Sequence, residues 1–220
     1  MTDDKPGDAA FILNSPGIHI NKSGTGTGKT ELLEEVSKQA IAANRRVAYI
    51  SHRRSIIEKT LNKVVEVIHY QEIQPNTESG IKALKIVINS IVKKNLAEWF
   101  NDLDVLIIDE SFQTLRHIAT GTVYQRETVY NLLISLIAKA KVVILADADN
   151  NNRVLALANK AAPTAPIYFW NKTAKLSNIT IEMMKHKQAE GQITDRLGKA
   201  GKLIVCSDKK IKIKRLITKL

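Results

Sequence analysis

A single cysteine, Cys206, stands in 220 residues. A lone thiol excludes an internal disulfide and a cysteine-ligated zinc site, and it fits a reducing cytoplasm. Aromatic residues are scarce, at 5%, and no basic stretch is interleaved with them as a base-stacking surface would be. Long apolar runs are also missing. Val105–Ile108 and Val142–Ala146 are among the longest, far short of the roughly 20 residues that cross a bilayer, so no membrane association is expected. The opening residues, Met1-Thr2-Asp3-Asp4-Lys5, are polar and acidic and do not read as a secretory leader. There is neither an internal repeat nor a low-complexity tract. What remains, with 44% hydrophobic and 25% charged residues, is the composition of a soluble globular chain, long enough for one α/β domain with residues to spare.

Charge is plentiful but uneven. The net formal charge is +11. Residues 171–220 hold 13 Lys/Arg against 4 Asp/Glu, a net of +9, whereas residues 1–170 hold 20 against 18. Such a basic region can follow a phosphate backbone, or it can be a solvated helix face in a lysine-rich chain.

Short runs rich in Val and Ile alternate with helical patterns, which predicts a doubly wound, mainly parallel sheet. Strands are expected at Ile18–Lys22, Arg46–Ser51, Lys85–Asn89, Asp104–Asp109 and Lys141–Ala146, with weaker signals at Pro166–Trp170 and Asn178–Met183. Helices are expected near Lys29–Ala43, Arg53–Val64, Ile91–Phe100, Ser111–Ile118 and Thr122–Ala140. Pro163, Pro166 and their polar neighbours mark an exit from this domain, so residues 1–172 are read as the first domain. Residues 173–220 are read as a linker and the start of a second, incomplete one. There Lys202–Cys206 forms a strand, and a helical pattern from Lys209 reaches Leu220 without a cap, as if the chain ended inside an element.

The strongest chemical signal is Ser23-Gly24-Thr25-Gly26-Thr27-Gly28-Lys29-Thr30. It lies between an apolar strand and an apolar-periodic helix, the context a phosphate-binding loop requires. Glycines let the backbone turn its N–H groups onto a phosphate, and the helix dipole adds to the attraction. Lys29 can reach the β- and γ-phosphates of ATP, and the Thr30 hydroxyl can hold Mg²⁺. The pattern usually opens on Gly where Ser23 stands, but that place is a strand end, which accepts another small residue.

The second signal is Val105-Leu106-Ile107-Ile108-Asp109-Glu110, a buried strand delivering two carboxylates at its tip. Beside a phosphate loop, Asp109 is expected to hold Mg²⁺ and Glu110 to orient or deprotonate the attacking water. Asp147-Ala148-Asp149 follows the next strand in the same way. These acids can sense the γ-phosphate, or Asp149 can simply cap the helix after it. Ser51-His52-Arg53 follows the second strand, with Ser51 a plausible helix cap. Ser51, His52, Arg53, Asn89 and Ser90 are candidates for contacting a nucleic-acid backbone.

In this order the pieces resemble the first motor domain of a superfamily 2 helicase. Ser23–Thr30 is similar to its motif I, Ile50–Ser55 to motif Ia, Ile86–Ser90 to motif Ib, Ile107–Phe112 to motif II, and Leu145–Asp149 stands at motif III. Ile108-Asp109-Glu110-Ser111-Phe112-Gln113-Thr114-Leu115-Arg116-His117 resembles more specifically the replication-origin-binding helicases of herpesviruses, phages and plasmids. The resemblance implies a RecA-like phosphate-loop NTPase domain, with ATP bound between two such domains and single-stranded DNA crossing both. It also implies origin DNA and other replication proteins as partners, and importance for Gln113, Arg116 and His117. The arginine that the second domain normally supplies to the γ-phosphate has no counterpart here, so slow hydrolysis by this chain alone is expected; such an arginine is worth roughly 10³–10⁵ in rate. Two rival readings stand beside this one. A small-molecule kinase would need an arginine-rich lid, which is not evident, and a binding module would not need the intact Lys29, Thr30, Asp109 and Glu110.

Overall fold

The computed structural model describes residues 8–24, 26–64, 66–73 and 80–172. The elements are α1 (Ala9–Asn14), β1 (Gly17–Ser23), α2 (Lys29–Ala42), β2 (Val47–Ser51), α3 (Arg54–Lys59), β3 (Val67–His69) and β4 (Ala83–Val87). After three short 3₁₀ turns come β5 (Val105–Asp109), α4 (Ser111–Thr120), α5 (Arg126–Lys139), β6 (Val142–Ala146), α6 (Asn152–Ala161) and β7 (Ile167–Lys172). Every strand pair is parallel, in the order β3-β4-β2-β5-β6-β1-β7. Parallel strands need crossovers, and the intervening helices cover both faces, so the central strands are buried end to end.

Strand alternation divides the core. Ile18, Ile20, Ala48, Ile50, Leu106, Ile108, Val143 and Leu145 pack under residues of α4, α5 and α6. Val47, Tyr49, Val105, Ile107, Val142 and Ile144 pack under α1 and α2. By the same period of two, His19, Asn21 and Ser23 of β1 share the α1–α2 face with Tyr49 and Asp109. Register brings Asn21, Ala146 and Asp109 level across three adjacent strands. The loop, the acidic pair and the Asp147 turn therefore meet at one carboxyl edge, where doubly wound sheets bind ligands.

Five expected strands form within two residues of their predicted bounds, and β7 extends the sheet past β1. The helical expectations need correction. Arg53–Val64 shortens to α3, because Thr60 Oγ1 and Asn62 Nδ2 donate to the carbonyls of Ile56 and Glu58 while Leu61 turns to φ +57°. Ser51 does not cap α3; Arg53 holds that place. Ile91–Phe100 forms 3₁₀ turns instead of a helix. Its buried residues fall at 91, 96, 99 and 100, and a step of five leaves one helical face, so tighter turns are needed to bury all four. Asn89 and Ser90 sit in the first of these turns and do not end β4. Asn151, not Asp149, caps α6, its side chain accepting from Arg153 N at 3.0 Å. Thr122–Ala140 narrows to α5, and α1 and β3 are additional elements. The expected strands Asn178–Met183 and Lys202–Cys206, and all of residues 173–220, lie outside the described residues.

Three buried or half-buried histidines, His19, His52 and His69, are held below the ordinary value of 6.5, in each case chiefly by burial. A depressed histidine stabilises the fold fully above pH 6.5, and that stability is lost as pH falls and the unfolded chain takes up the proton first. The melting temperature is therefore expected to drop between pH 7.5 and 5.5. In His19→Gln, which cannot titrate, the drop should be smaller; an equal drop in thermal melts of the two proteins would contradict this assignment.

Candidate nucleotide and nucleic-acid sites

β1 ends on Ser23, whose hydroxyl donates to the Asn21 side chain two residues back on the same face. A glycine could not make this bond, which gives the serine a local role. Gly26 and Gly28 turn to φ +75° and +83°, conformations that side-chain-bearing residues adopt only at a cost. Thr27 Oγ1 closes the loop on Gly24 O at 2.7 Å. Gly28 is the N-cap of the 14-residue α2 and offers no side chain to its first amides, which leaves those donors to a ligand. Thr25 lies outside the described residues.

Lys29, in the first turn of α2, places Nζ 3.4 Å from Glu110 Oε1. Glu110 follows β5 in the left-handed region, φ 52° and ψ 51°, an uncommon conformation for a non-glycine residue and one that concentrates at functional positions. Its carbonyl accepts from Thr114 N at 2.7 Å, starting α4. Burial raises the Glu110 carboxyl above the ordinary carboxylate value; Lys29 opposes this, and the neighbouring Asp147 and Asp109 add to it. Asp109 is buried. Its Oδ1 accepts from Glu110 N at 3.0 Å and its Oδ2 from the Tyr49 hydroxyl at 2.5 Å. Burial and the Asp109 charge push the Tyr49 hydroxyl up, so it remains a donor and fixes the carboxylate.

Asp109 and Glu110 present hard carboxylate oxygens beside Lys29, and Thr30 follows Lys29 in the first turn of α2. Among the described residues no three His, Cys, Asp or Glu converge on one point. Carboxylate oxygens suit Mg²⁺ rather than zinc.

The Asp147 carboxylate is committed to protein. Its Oδ2 accepts from Phe112 N and Gln113 N at 3.0 and 3.2 Å, and its Oδ1 from Asp149 N at 2.9 Å. It therefore caps the start of α4 from β6, a role fit for an acid at a helix N-terminus. The Asp149 residue itself is exposed. Asn150, unnoticed in the sequence, ties the edge together: Nδ2 donates to Asn21 O and Leu145 O, and Oδ1 accepts from Ser111 Oγ.

A second group gathers beyond the ends of β2 and β4. His117, two turns along α4 from Glu110, contacts Asn89 Oδ1 through Nε2 at 3.2 Å, and its ring lies 6.1 Å from that of His52. Ser51 Oγ and His52 Nδ1 are buried atoms without a hydrogen-bond partner among the described residues, which is unusual in a folded interior. Arg53 is exposed and Ser90 partly so. The expected residues thus form two sets. Lys29, Glu110 and Asp109 belong to one, and His52, Asn89 and His117 to the other. Tyr49 and Asn150 escaped the sequence reading, although Tyr49 stands two residues before Ser51 on the strand.

The chain is similar to a number of known proteins. An uncharacterized protein of Picosynechococcus sp. is 29% identical over 153 residues, covering 64% of this chain and 15% of that protein. Among solved structures, the DUF1998 helicase MrfA superposes with a TM-score of 0.64 at 14% identity, covering 96% of this chain and 36% of MrfA. The DEAD-box helicase Mss116, bound to ssRNA and UDP-BeF, gives 0.52 at 16% identity, with coverages of 74% and 38%. These likenesses show the RecA-like fold of helicase domains, and the chain spans well under half of each of these proteins. The family model described as origin of replication binding protein matches residues 9–168, and the chain belongs to that family.

Proposed function

We propose that this chain is the ATP-binding motor portion of a DNA helicase or translocase of the origin-binding type, acting in phage or plasmid replication in the cytoplasm. Lys29, Thr30 and the loop amides of Gly24–Gly28 hold the phosphates of ATP; Thr30 and Asp109 hold Mg²⁺, which would neutralise charge on the β- and γ-phosphates. Glu110 takes a proton from the attacking water. Ser51, His52, Arg53, Asn89 and Ser90 contact single-stranded DNA. Asp147 is assigned to positioning α4, with Asp149 beside it at the edge of the nucleotide site.

The observation that supports this reading best is the placement of α4. Its N-cap, Glu110, faces Lys29, and its His117 reaches Asn89. One rigid helix thus spans a hydrolytic centre and a backbone-contacting edge. A small-molecule kinase has no need of that link. Turnover is expected to depend on a second motor domain that supplies an arginine to the γ-phosphate. The test is steady-state ATP hydrolysis by the intact protein with and without single-stranded DNA. Stimulation by DNA supports the motor; phosphorylation of a small acceptor without DNA, or hydrolysis indifferent to DNA, contradicts it.

A further inference from the structure

A cleft of about 620 Å³ opens beside the phosphate loop, within the size range of small-molecule sites. Thr27, Gly28 and Lys29 line it together with Trp170, Asn21 and Leu32. Asp8, whose Oδ1 accepts from Phe11 N as the cap of α1, borders it with Glu31 and Glu35, and Lys29 is the sole cation among the described lining residues.

Trp170 lies on β7 level with Asn21 of β1, and its indole is held from two sides. Nε1 donates to His19 Nδ1 at 3.3 Å, with the two rings within 4° of parallel. The Phe11 ring of α1 stands nearly perpendicular to it, 5.5 Å between centroids. The other nitrogen of His19, Nε2, lies 2.8 Å from Ser15 O. A carbonyl can only accept, so the hydrogen is on Nε2, and Nδ1 is left to accept from the indole. His19 is fully buried and must be neutral to do both. An aromatic ring with its polar atom satisfied inward and its body partly exposed in a cleft is built to present a surface.

Within the cleft Lys29 attracts a polyphosphate and the three carboxylates oppose it. Those carboxylates only accept hydrogen bonds when ionised, so they favour a neutral group that carries donors.

We propose that this cleft is a nucleobase and ribose subsite, with Trp170 as the stacking wall and the carboxylates receiving a base amino group and ribose hydroxyls. The assignment rests on the phosphate-loop reading above, and it selects a nucleoside triphosphate with an exocyclic amine, such as ATP, over UTP.

The test titrates this chain with Mg-ATP, Mg-UTP and Mg-tripolyphosphate, the last carrying the phosphates without base or sugar. Trp170→Ala should weaken ATP binding roughly tenfold or more, the scale of losing one base–aromatic stack, and leave tripolyphosphate unchanged. Trp170→Phe should restore most of the loss. A measurement without any variant runs beside it. The chain has two tryptophans, and Trp99 is buried in the core, so ATP should change the tryptophan fluorescence and tripolyphosphate should not. ATP affinity untouched by Trp170→Ala, a parallel loss for tripolyphosphate, or UTP binding as tightly as ATP would each overturn the proposal while leaving the phosphate loop intact. Failure of both ATP and tripolyphosphate to bind the unaltered chain would overturn the phosphate-loop reading as well.

Discussion

Glu110→Gln is expected to leave Mg-ATP binding within a few-fold of the unaltered protein while slowing hydrolysis by about 10²–10⁴, the usual contribution of a positioned general base. The amide keeps the size of the carboxylate but cannot take the proton. The position is set by the backbone: Glu110 is held at φ 52° by its carbonyl bond to Thr114 N and by the Asp147 cap on the next turn, none of which the substitution touches. The ion pair with Lys29 is lost although the amide oxygen can still accept from Nζ, and at 3.4 Å between side chains 13% and 32% exposed a partly solvated pair of this kind contributes little to stability. Single-turnover hydrolysis by the intact protein, paired with a binding titration, separates the two effects. Normal turnover would remove Glu110 from the chemistry.

Lys29→Ala acts at the other step. Loss of this ammonium should weaken Mg-ATP binding by roughly 10- to 150-fold, corresponding to a charge-assisted hydrogen bond of about 1.5–3 kcal/mol. Among the described residues no other cation lines the cleft to replace it. The fold should be unaffected, because the hydrophobic residues of α2 that pack against the sheet are Leu33, Val36, Ala40 and Ile41. Calorimetric titration alongside a thermal melt checks both halves. Unchanged affinity would mean that the loop does not cradle phosphate as proposed.

The sheet was legible because buried parallel strands are continuous apolar runs, and those of β5 and β6 run into acids, Asp109 and Asp147, that make specific bonds at the carboxyl edge. The phosphate loop was legible because three alternate glycines before Lys29 give a backbone freedom that an ordinary surface turn does not need. Where polar side chains redirected the backbone, the sequence misled: Thr60 and Asn62 stop α3 by taking its last carbonyls, a local competition that periodicity does not register. Asp147 shows a different limit. Its place after β6 was evident, but its partners are amides 34 and 35 residues earlier in the chain, and only the packed sheet reveals that it caps α4 instead of standing free for a ligand. Tyr49, Asn150 and the His19–Trp170 pair were hidden for the same reason, since each acts across strands that are distant in sequence.

If α4 links the two sites, nucleotide and DNA must each change the affinity for the other. The measurement that tests this most directly is the dissociation constant of Mg-ATP with and without saturating single-stranded DNA, repeated in His117→Ala. Linkage requires that if DNA changes ATP affinity, ATP changes DNA affinity by the same factor. We expect a change of about fivefold or more in the unaltered protein, equal in both directions, and a smaller one when His117 no longer reaches Asn89. Affinities that are identical with and without DNA would show that the two groups of residues do not belong to one machine.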